Sequence, residues 1–480
     1  MSPRTAADRA TAPTRTQPRT PSPAEPPAPA RATADGGAAD EYEHRPVPPG
    51  ARRSLLSVAA VWGGFPMCLG NAVFGGLIVY NLGLLRGMLA VLVGNLVLLG
   101  YVGTLSHLAG RTGENFSLQA LTTFGRRGRT LVVGFLSTVV VGWFSYQLGL
   151  TGGTFHELFG WAPAWGALLG CAVYTAVAVA GIRALSVLGL VGTPLFLVLA
   201  AVALFLGTRD GGSLSGAVAY HGEGHAIPFW AAVSIVIAGF ADSGTMTADF
   251  TRWAKDGRSA VAATAVAFPL ANTVAYLVGG LVVAVGGAAD PAHEGGAFLG
   301  LLTGHGTLLT GLAVLFVLTN LGSVASHCLY NAAVGWSGIT RARMRTLALV
   351  LGAAGLVVAL TGVWSSIVEW LSLLGIVVPP IGAVLITDHL MPRRGAARRT
   401  VESVRLPALA AWAAGAAAAT LVHQRLPGSV DALVGIAVAA GCYALPGLLR
   451  PAGPEAGAAG SAAVPSGSAV VPSFATGERP

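Results

Sequence analysis

Charge is scarce in this chain: Asp, Glu, Lys and Arg together make up only 10% of its 480 residues, whereas a soluble domain carries about 25%. A chain this poor in ions lacks the surface that keeps a folded protein in water. Lysine is nearly missing, Lys255 being the only one, so the net charge of +8 rests on arginine. Those arginines sit in short connections between apolar runs and form no contiguous basic face, which excludes a nucleic-acid footprint. The four cysteines, Cys68, Cys171, Cys328 and Cys442, fall inside apolar runs without a CxxC spacing. Neither a disulfide framework nor a metal cluster is expected of them. HExxH, GxSxG and Walker patterns are also absent, which argues against an intramembrane enzyme and against ATP hydrolysis. No cofactor is expected, only a coupling ion, H⁺ or Na⁺.

What is plentiful is apolar surface, with 53% hydrophobic residues and 66 glycines. Runs of about 20 apolar residues follow one another, each long enough to cross the hydrocarbon of a bilayer. They lie near 55–79, 84–106, 129–150, 163–181, 184–207, 228–248, 259–286, 306–330, 344–362, 365–387, 405–422 and 430–449. The expected class is therefore an all-α polytopic membrane protein with twelve transmembrane helices. Residues 1–50, rich in Pro, Ala, Thr and Arg, are expected to be a disordered tail without a signal peptide, and 451–480 a second one. Alternate connections carry Arg111, Arg126, Arg127, Arg129, Arg183, Arg252, Lys255, Arg258, Arg341, Arg343, Arg345, Arg393, Arg394, Arg398 and Arg399. The positive-inside rule then puts both termini in the cytoplasm of a cell (plasma or inner) membrane, which requires an even number of spans.

Two runs contain breaks. The first reads GGFPMCLGNAVFGG from Gly63 to Gly76, and the sixth reads AGFADSGTMTADF from Ala238 to Phe250. Proline and glycine interrupt helix hydrogen bonding, and backbone freed at membrane depth survives only where it lines a cavity. Broken helices five spans apart point to inverted five-helix repeats with a site at the midplane. The repeats are expected at 51–207 and 208–390, with two accessory helices in 391–450. A carrier of a small polar solute fits this plan better than a channel, which wants a filter-like repeat.

Several stretches carry a resemblance: GNLVLLGY after Val93, VGWF at Val141–Phe144, SGTMTADFTRWA at Ser243–Ala254 and VPPIGAVLITDHLM at Val378–Met391. Across about residues 55–450 the chain resembles the nucleobase:cation symporter-1 family of purine, cytosine and hydantoin permeases, the bacterial cytosine-permease branch in particular. The resemblance implies a LeuT-like fold of five plus five inverted helices with two more at the C-terminus. It also implies symport of a planar nucleobase, such as cytosine or a related pyrimidine or purine, with H⁺ or Na⁺. Allantoin, hydantoin or hydroxymethylpyrimidine are the alternative cargoes.

The same resemblance implies a site. Trp143 of the VGWF stretch stacks on the ring and Phe240, beside Gly239, covers its other face. Gln147 lies one helical turn beyond Trp143 and offers an amide donor and acceptor. Its spacing is similar to that of the hydantoin-type members, while Val140 stands where cytosine permeases have a glutamine. Asn320 aligns with a substrate-contacting asparagine. Cation ligands would be the carbonyls of Pro66, Leu69 and Gly70 with Ser323, but Val324 replaces the second hydroxyl. Asp242, an acid in a broken helix where relatives have a small polar residue, is expected to bind substrate and to carry the coupling proton. Asp249 and Arg252 are expected to form a gating or structural ion pair, and His327, Asn272 and Asn331 to hydrogen-bond between helices. The partners expected are a small nucleobase and the lipid bilayer, with no nucleic acid.

Overall fold

Ser54 caps the first helix by accepting a hydrogen bond from the Ser57 N–H, which satisfies an amide otherwise orphaned at a helix start. The computed structural model that follows from this start describes residues 40–449 except 210–212, 289, 293–294, 297, 300–301, 303–305, 363–366, 392–400 and 427. Within Glu41–Pro480, one of two compact units, the named elements among the described residues are all helices, joined by turns and irregular segments. Helix α1 (Leu55–Gly64) stops before Pro66, and α2 (Leu69–Leu82) resumes after an extended Cys68, with a bend of 58° between them. Then come α3 (Leu84–Thr112), α4 (Phe116–Phe159), α5 (Pro163–Ala180), α6 (Ile182–Arg209) and the single turn α7 (Leu214–Ala217).

The sixth apolar run is split into α8 (Phe229–Ala238), α9 (Ala241–Thr245) and α10 (Ala248–Thr251). Helices α11 (Gly257–Ala265) and α12 (Thr273–Ala284) are joined by a π-helical turn holding Pro269. Next are α13 (Thr307–Thr340), α14 (Met344–Leu360), α15 (Ile367–Val377), α16 (Pro379–Leu390), α17 (Leu406–Arg425) and α18 (Asp431–Leu449). Every apolar run of the sequence is occupied by helix. Among the described residues eight helices are long and apolar enough to cross a bilayer, and the bent pair α1–α2 makes a ninth. Helices α8, α14 and α18 are apolar but shorter by that measure.

Outward faces are apolar. On α3 the exposed Leu85, Leu89, Leu92 and Leu96 make one stripe, a surface suited to lipid and not to water. Inward, small residues let backbones touch. A methyl added to Gly279 would lie 1.7 Å from the Ala72 carbonyl oxygen, and one added to Gly75 2.0 Å from that of Tyr276. Glycine is the only residue that allows α2 and α12 to pack this closely. Helix α4 is bent at Gly125, whose φ of 80° is left-handed. The Arg126 and Arg127 N–H groups beyond the bend donate to the carbonyls of Glu402 and Ser403, so the break costs no unpaired amide.

One expectation is corrected. The N-terminal tail does not extend to residue 50, because Glu41–Arg53 is a strap fitted across the arginine-rich end of the bundle. The Glu41 carboxylate accepts from the Tyr330 hydroxyl (2.9 Å) and from the Ile182 N–H (3.2 Å). The carbonyls of Glu41 and Tyr42 accept from the Arg252 guanidinium, both at 2.8 Å. Asn115 donates to the Glu43 carbonyl, Val47 N–H to Gly113, and Arg53 N–H to Trp253. Composition marks the segment as polar; buried donors on other helices are what order it. Residues 1–39 and 450–480 lie outside the described residues.

Candidate substrate and coupling site

The site starts from the two breaks. Pro66 has no N–H to continue α1 and its ring obstructs the preceding turn, so the chain turns out at Phe65–Cys68. The freed groups there are met by amides. Asn71 Nδ2 donates to the Pro66 carbonyl (2.7 Å) and to Asn272 Oδ1 (2.9 Å). Asn320 on α13 accepts from the Leu69 N–H and donates to the Met67 carbonyl, both at 2.8 Å. Further along α13, Ser323 donates to the Gly64 carbonyl (3.4 Å), and His327 Nε2 faces that of Val61 at 3.0 Å. At the second break, Gly239 and Phe240 separate α8 from α9, and the Ser243 N–H donates to Asp242 Oδ1 at 2.6 Å.

Between the breaks lies a cavity of about 30 Å³, room for about one water. Its walls come from α1–α2, α4, the α8–α9 break and α13. Trp143, Gln147, Gly239, Phe240, Gly70 and Val324 line it, as do Phe65, Tyr146 and Cys328. Phe65 meets Phe240 edge to face, with centroids 5.5 Å apart, and Tyr146 stands edge-on to Trp143 at 6.1 Å. Three polar atoms in or beside this apolar pocket are buried with no hydrogen-bond partner: Trp143 Nε1, Gln147 Oε1 and Asp242 Oδ2. The Trp143 indole N–H lies near the Asp242 carboxylate without completing a well-formed bond. Buried polar atoms of native proteins are nearly always paired, so this cluster is hydrogen-bonding capacity held open.

The structure thus brings Trp143, Gln147, Gly239 and Phe240 together on one cavity. It places Asp242 just behind the wall, and Asn320 on the backbone of the first break instead of in the cavity. Ser323 faces Gly64, not the carbonyls of Pro66, Leu69 and Gly70, and the Pro66 carbonyl is already engaged by Asn71. Val324 presents methyls to the cavity. The Asp249–Arg252 expectation needs correcting. Asp249 Oδ1 accepts from the Phe116 N–H at 3.0 Å, while the Arg252 guanidinium reaches the Asp249 main-chain carbonyl and the strap. No side-chain ion pair joins them among the described residues, because the strap carbonyls occupy the guanidinium. Asn272 does bond between helices, to Asn71 and Asn95, whereas both amide atoms of Asn331 are unpartnered. Phe65, Tyr146 and Cys328 were not anticipated. Tyr146 was within reach, since it follows Trp143 by three residues on the same helical face.

Residues 46–444 match the family model described as permease for cytosine/purines, uracil, thiamine and allantoin. The cytosine permease of Escherichia coli O157:H7 is 30% identical over 403 residues, which cover 82% of this chain and 92% of the relative. The cytosine permease of Escherichia coli strain K12 matches to the same extent. Among solved structures, Mhp1, a nucleobase-cation-symport-1 family transporter in a closed conformation with bromovinylhydantoin bound, superposes with a TM-score of 0.72 at 20% identity, covering 84% of this chain and 93% of that one. A Na⁺-coupled sialic acid symporter superposes with a TM-score of 0.62 at 12% identity, covering 86% and 92%. At these identities the likeness is one of fold.

Proposed function

The chain belongs to the family of permeases for cytosine, purines, uracil, thiamine and allantoin, multi-pass membrane transporters, and from that premise we propose what it carries and how. It imports a nucleobase such as cytosine, or a related pyrimidine or purine, by cation symport with alternating access. The observation that carries this reading is the set of unpartnered polar atoms, Trp143 Nε1, Gln147 Oε1 and Asp242 Oδ2, gathered beside aromatic rings at two helix breaks. An apolar solute would leave those atoms unpaired; a flat heterocycle with ring nitrogens and an exocyclic amine satisfies them while stacking on Trp143 and Phe240.

The cavity is smaller than any such ring, so α4 and the α8–α9 break must separate from α1–α2 and α13 to load it. That separation is the rocking of a bundle against a scaffold around a fixed site. In this reading the chain spans the cell membrane twelve times with both termini cytoplasmic, as the arginine distribution supports. Its two five-helix repeats cover 51–207 and 208–390, and 391–450 supplies two accessory helices. H⁺ is favoured over Na⁺ as the driving ion, since Val324 offers no oxygen where a cation needs one. Asp242 carries the proton, taking it up with substrate and releasing it inside. A second reading, carriage of allantoin, hydantoin or hydroxymethylpyrimidine, is favoured by the Trp-x-x-x-Gln spacing of Trp143 and Gln147.

Labelled cytosine uptake into cells, competed with uracil, adenine, guanine, hypoxanthine, allantoin and hydroxymethylpyrimidine, tests both. At least one is expected to compete and to be recovered unaltered inside; if none competes or enters, the nucleobase reading falls. Replacing Na⁺ by choline across a range of pH decides the ion: uptake that persists and rises with external acidity is expected.

A further inference from the structure

At the arginine-rich end of the bundle a second and larger cavity, about 790 Å³, lies away from the substrate cleft. It is walled by Arg126 and Arg129 of α4, Arg341 at the end of α13, Ser117 and His44, with Leu118, Leu121 and Val401 on its apolar side. Glu43 is the one carboxylate in the wall, against three arginines. None of these guanidiniums has an ion-pair or hydrogen-bond partner among the described residues, and Arg129 Nε is buried without an acceptor. Arg129 and Arg341 are close enough to repel one another. The Ser117 hydroxyl, on a residue 1% exposed, is likewise buried with no partner. A methyl on Gly338 would run into that hydroxyl at 2.3 Å, so glycine is what lets α13 pack directly against Ser117. Arg341 holds a left-handed backbone at φ 63°, a conformation that costs a non-glycine residue, and this position nevertheless supplies a guanidinium to the rim.

We propose that this cavity is a binding site for a phosphate-bearing anion. Guanidiniums are planar forks that grip phosphate oxygens two at a time, and an unpaired hydroxyl adds a neutral donor. Three converging cations with one opposing carboxylate leave an unbalanced charge that a divalent oxyanion cancels. The volume exceeds what a halide needs. Two sources offer this chemistry at the membrane surface: the headgroup of an anionic phospholipid, whose glycerol would lie along Leu118, Leu121 and Val401, or a soluble phosphate.

The test uses the purified full-length protein in nanodiscs of phosphatidylcholine, with thermal unfolding as the readout. One arm adds phosphatidylglycerol to the bilayer; the other titrates inorganic phosphate or pyrophosphate into the phosphatidylcholine sample. At least one arm is expected to raise the melting temperature by several degrees, and which arm does so identifies the source. The double variant Arg129→Gln, Arg341→Gln should lose that rise, while Arg111→Gln, an exposed arginine at the same end outside the cavity, should keep it. In phosphatidylcholine alone the double variant should melt at or above the wild type, because a repulsion has been removed. The proposal is overturned if neither arm separates wild type from the double variant, if Arg111→Gln loses the rise equally, or if the double variant melts lower without any anion.

Discussion

The chemistry of this molecule is concentrated in a few side chains that sit where apolar residues would be cheaper. Trp143 and Phe240 face one cavity, and stacking of a base on an aromatic ring contributes about 1–3 kcal/mol. Trp143→Ala and Phe240→Ala should each raise the KM for uptake roughly 5- to 150-fold, whereas Trp165→Ala, on an outward face, should leave it unchanged. Equal effects of all three in an initial-rate assay would refute the assignment. Asp242→Asn keeps the size and the bond to Ser243 but cannot exchange a proton. It is expected to abolish the pH dependence of uptake; a variant that still accelerates in acid would remove Asp242 from the coupling. Trp143 and Phe240 were legible only through the family resemblance, because aromatic side chains are at home in an apolar span; Gln147 stands out also as an amide inside a span, one helical turn from Trp143. The position of Asn320 was not: its amide is consumed by backbone atoms 251 and 253 residues away, and no local pattern encodes that.

At the scale of helices, the breaks at Pro66 and at Gly239–Phe240 could be read directly, since proline and clustered glycine act on their own turn of backbone. The bend at Gly125 could not, because a lone glycine is tolerated within a helix and only the Glu402 and Ser403 carbonyls make the left-handed turn affordable. The π-helical turn around Pro269 was equally hidden; it absorbs a proline that the apolar run 259–286 conceals. Packing of α2 on α12 depends on glycines whose purpose appears only in three dimensions. Gly279→Ala forces a methyl into the Ala72 carbonyl, and overpacking of this kind costs about 1–3 kcal/mol. A lower melting temperature of the purified variant is the expected result, and more so than for Gly311→Ala, where nothing lies within 4 Å. Indistinguishable melting of the two would mean that the helices are not in backbone contact.

For the molecule as a whole, the sequence conveyed a twelve-run membrane protein with a repeat-like pair of breaks, but not the strap, whose residues look like the end of a tail. Glu41 is its anchor and stands outside the spanning helices. Burial pushes its carboxyl above the ordinary value of 4.5, against the lowering influence of the Tyr330 hydroxyl, the Arg252 charge and the Ile182 N–H. The folded protein therefore binds this proton more tightly than the unfolded chain does. The associated stability is complete below the unfolded-state value and is lost as pH rises through the folded-state value. Glu41→Gln removes that dependence. The melting temperature of wild type minus that of the variant should fall as pH rises above 4.5; a difference that stays constant with pH would contradict the assignment.

The strap also has a place in time. Glu41 leaves the ribosome long before the groups it holds, since Arg252 follows it by 211 residues, Tyr330 by 289, and Met344, whose N–H meets the Glu43 side chain, comes 301 residues after Glu43. At about 5–20 residues per second, synthesis of a stretch that long takes roughly 15–60 s. The Asn115 contact with the Glu43 carbonyl can form once 72 further residues are made, but the seat of Glu41 is complete only when the helix bearing Tyr330 has arrived. Completion of the strap is thus a late event in the synthesis of the bundle.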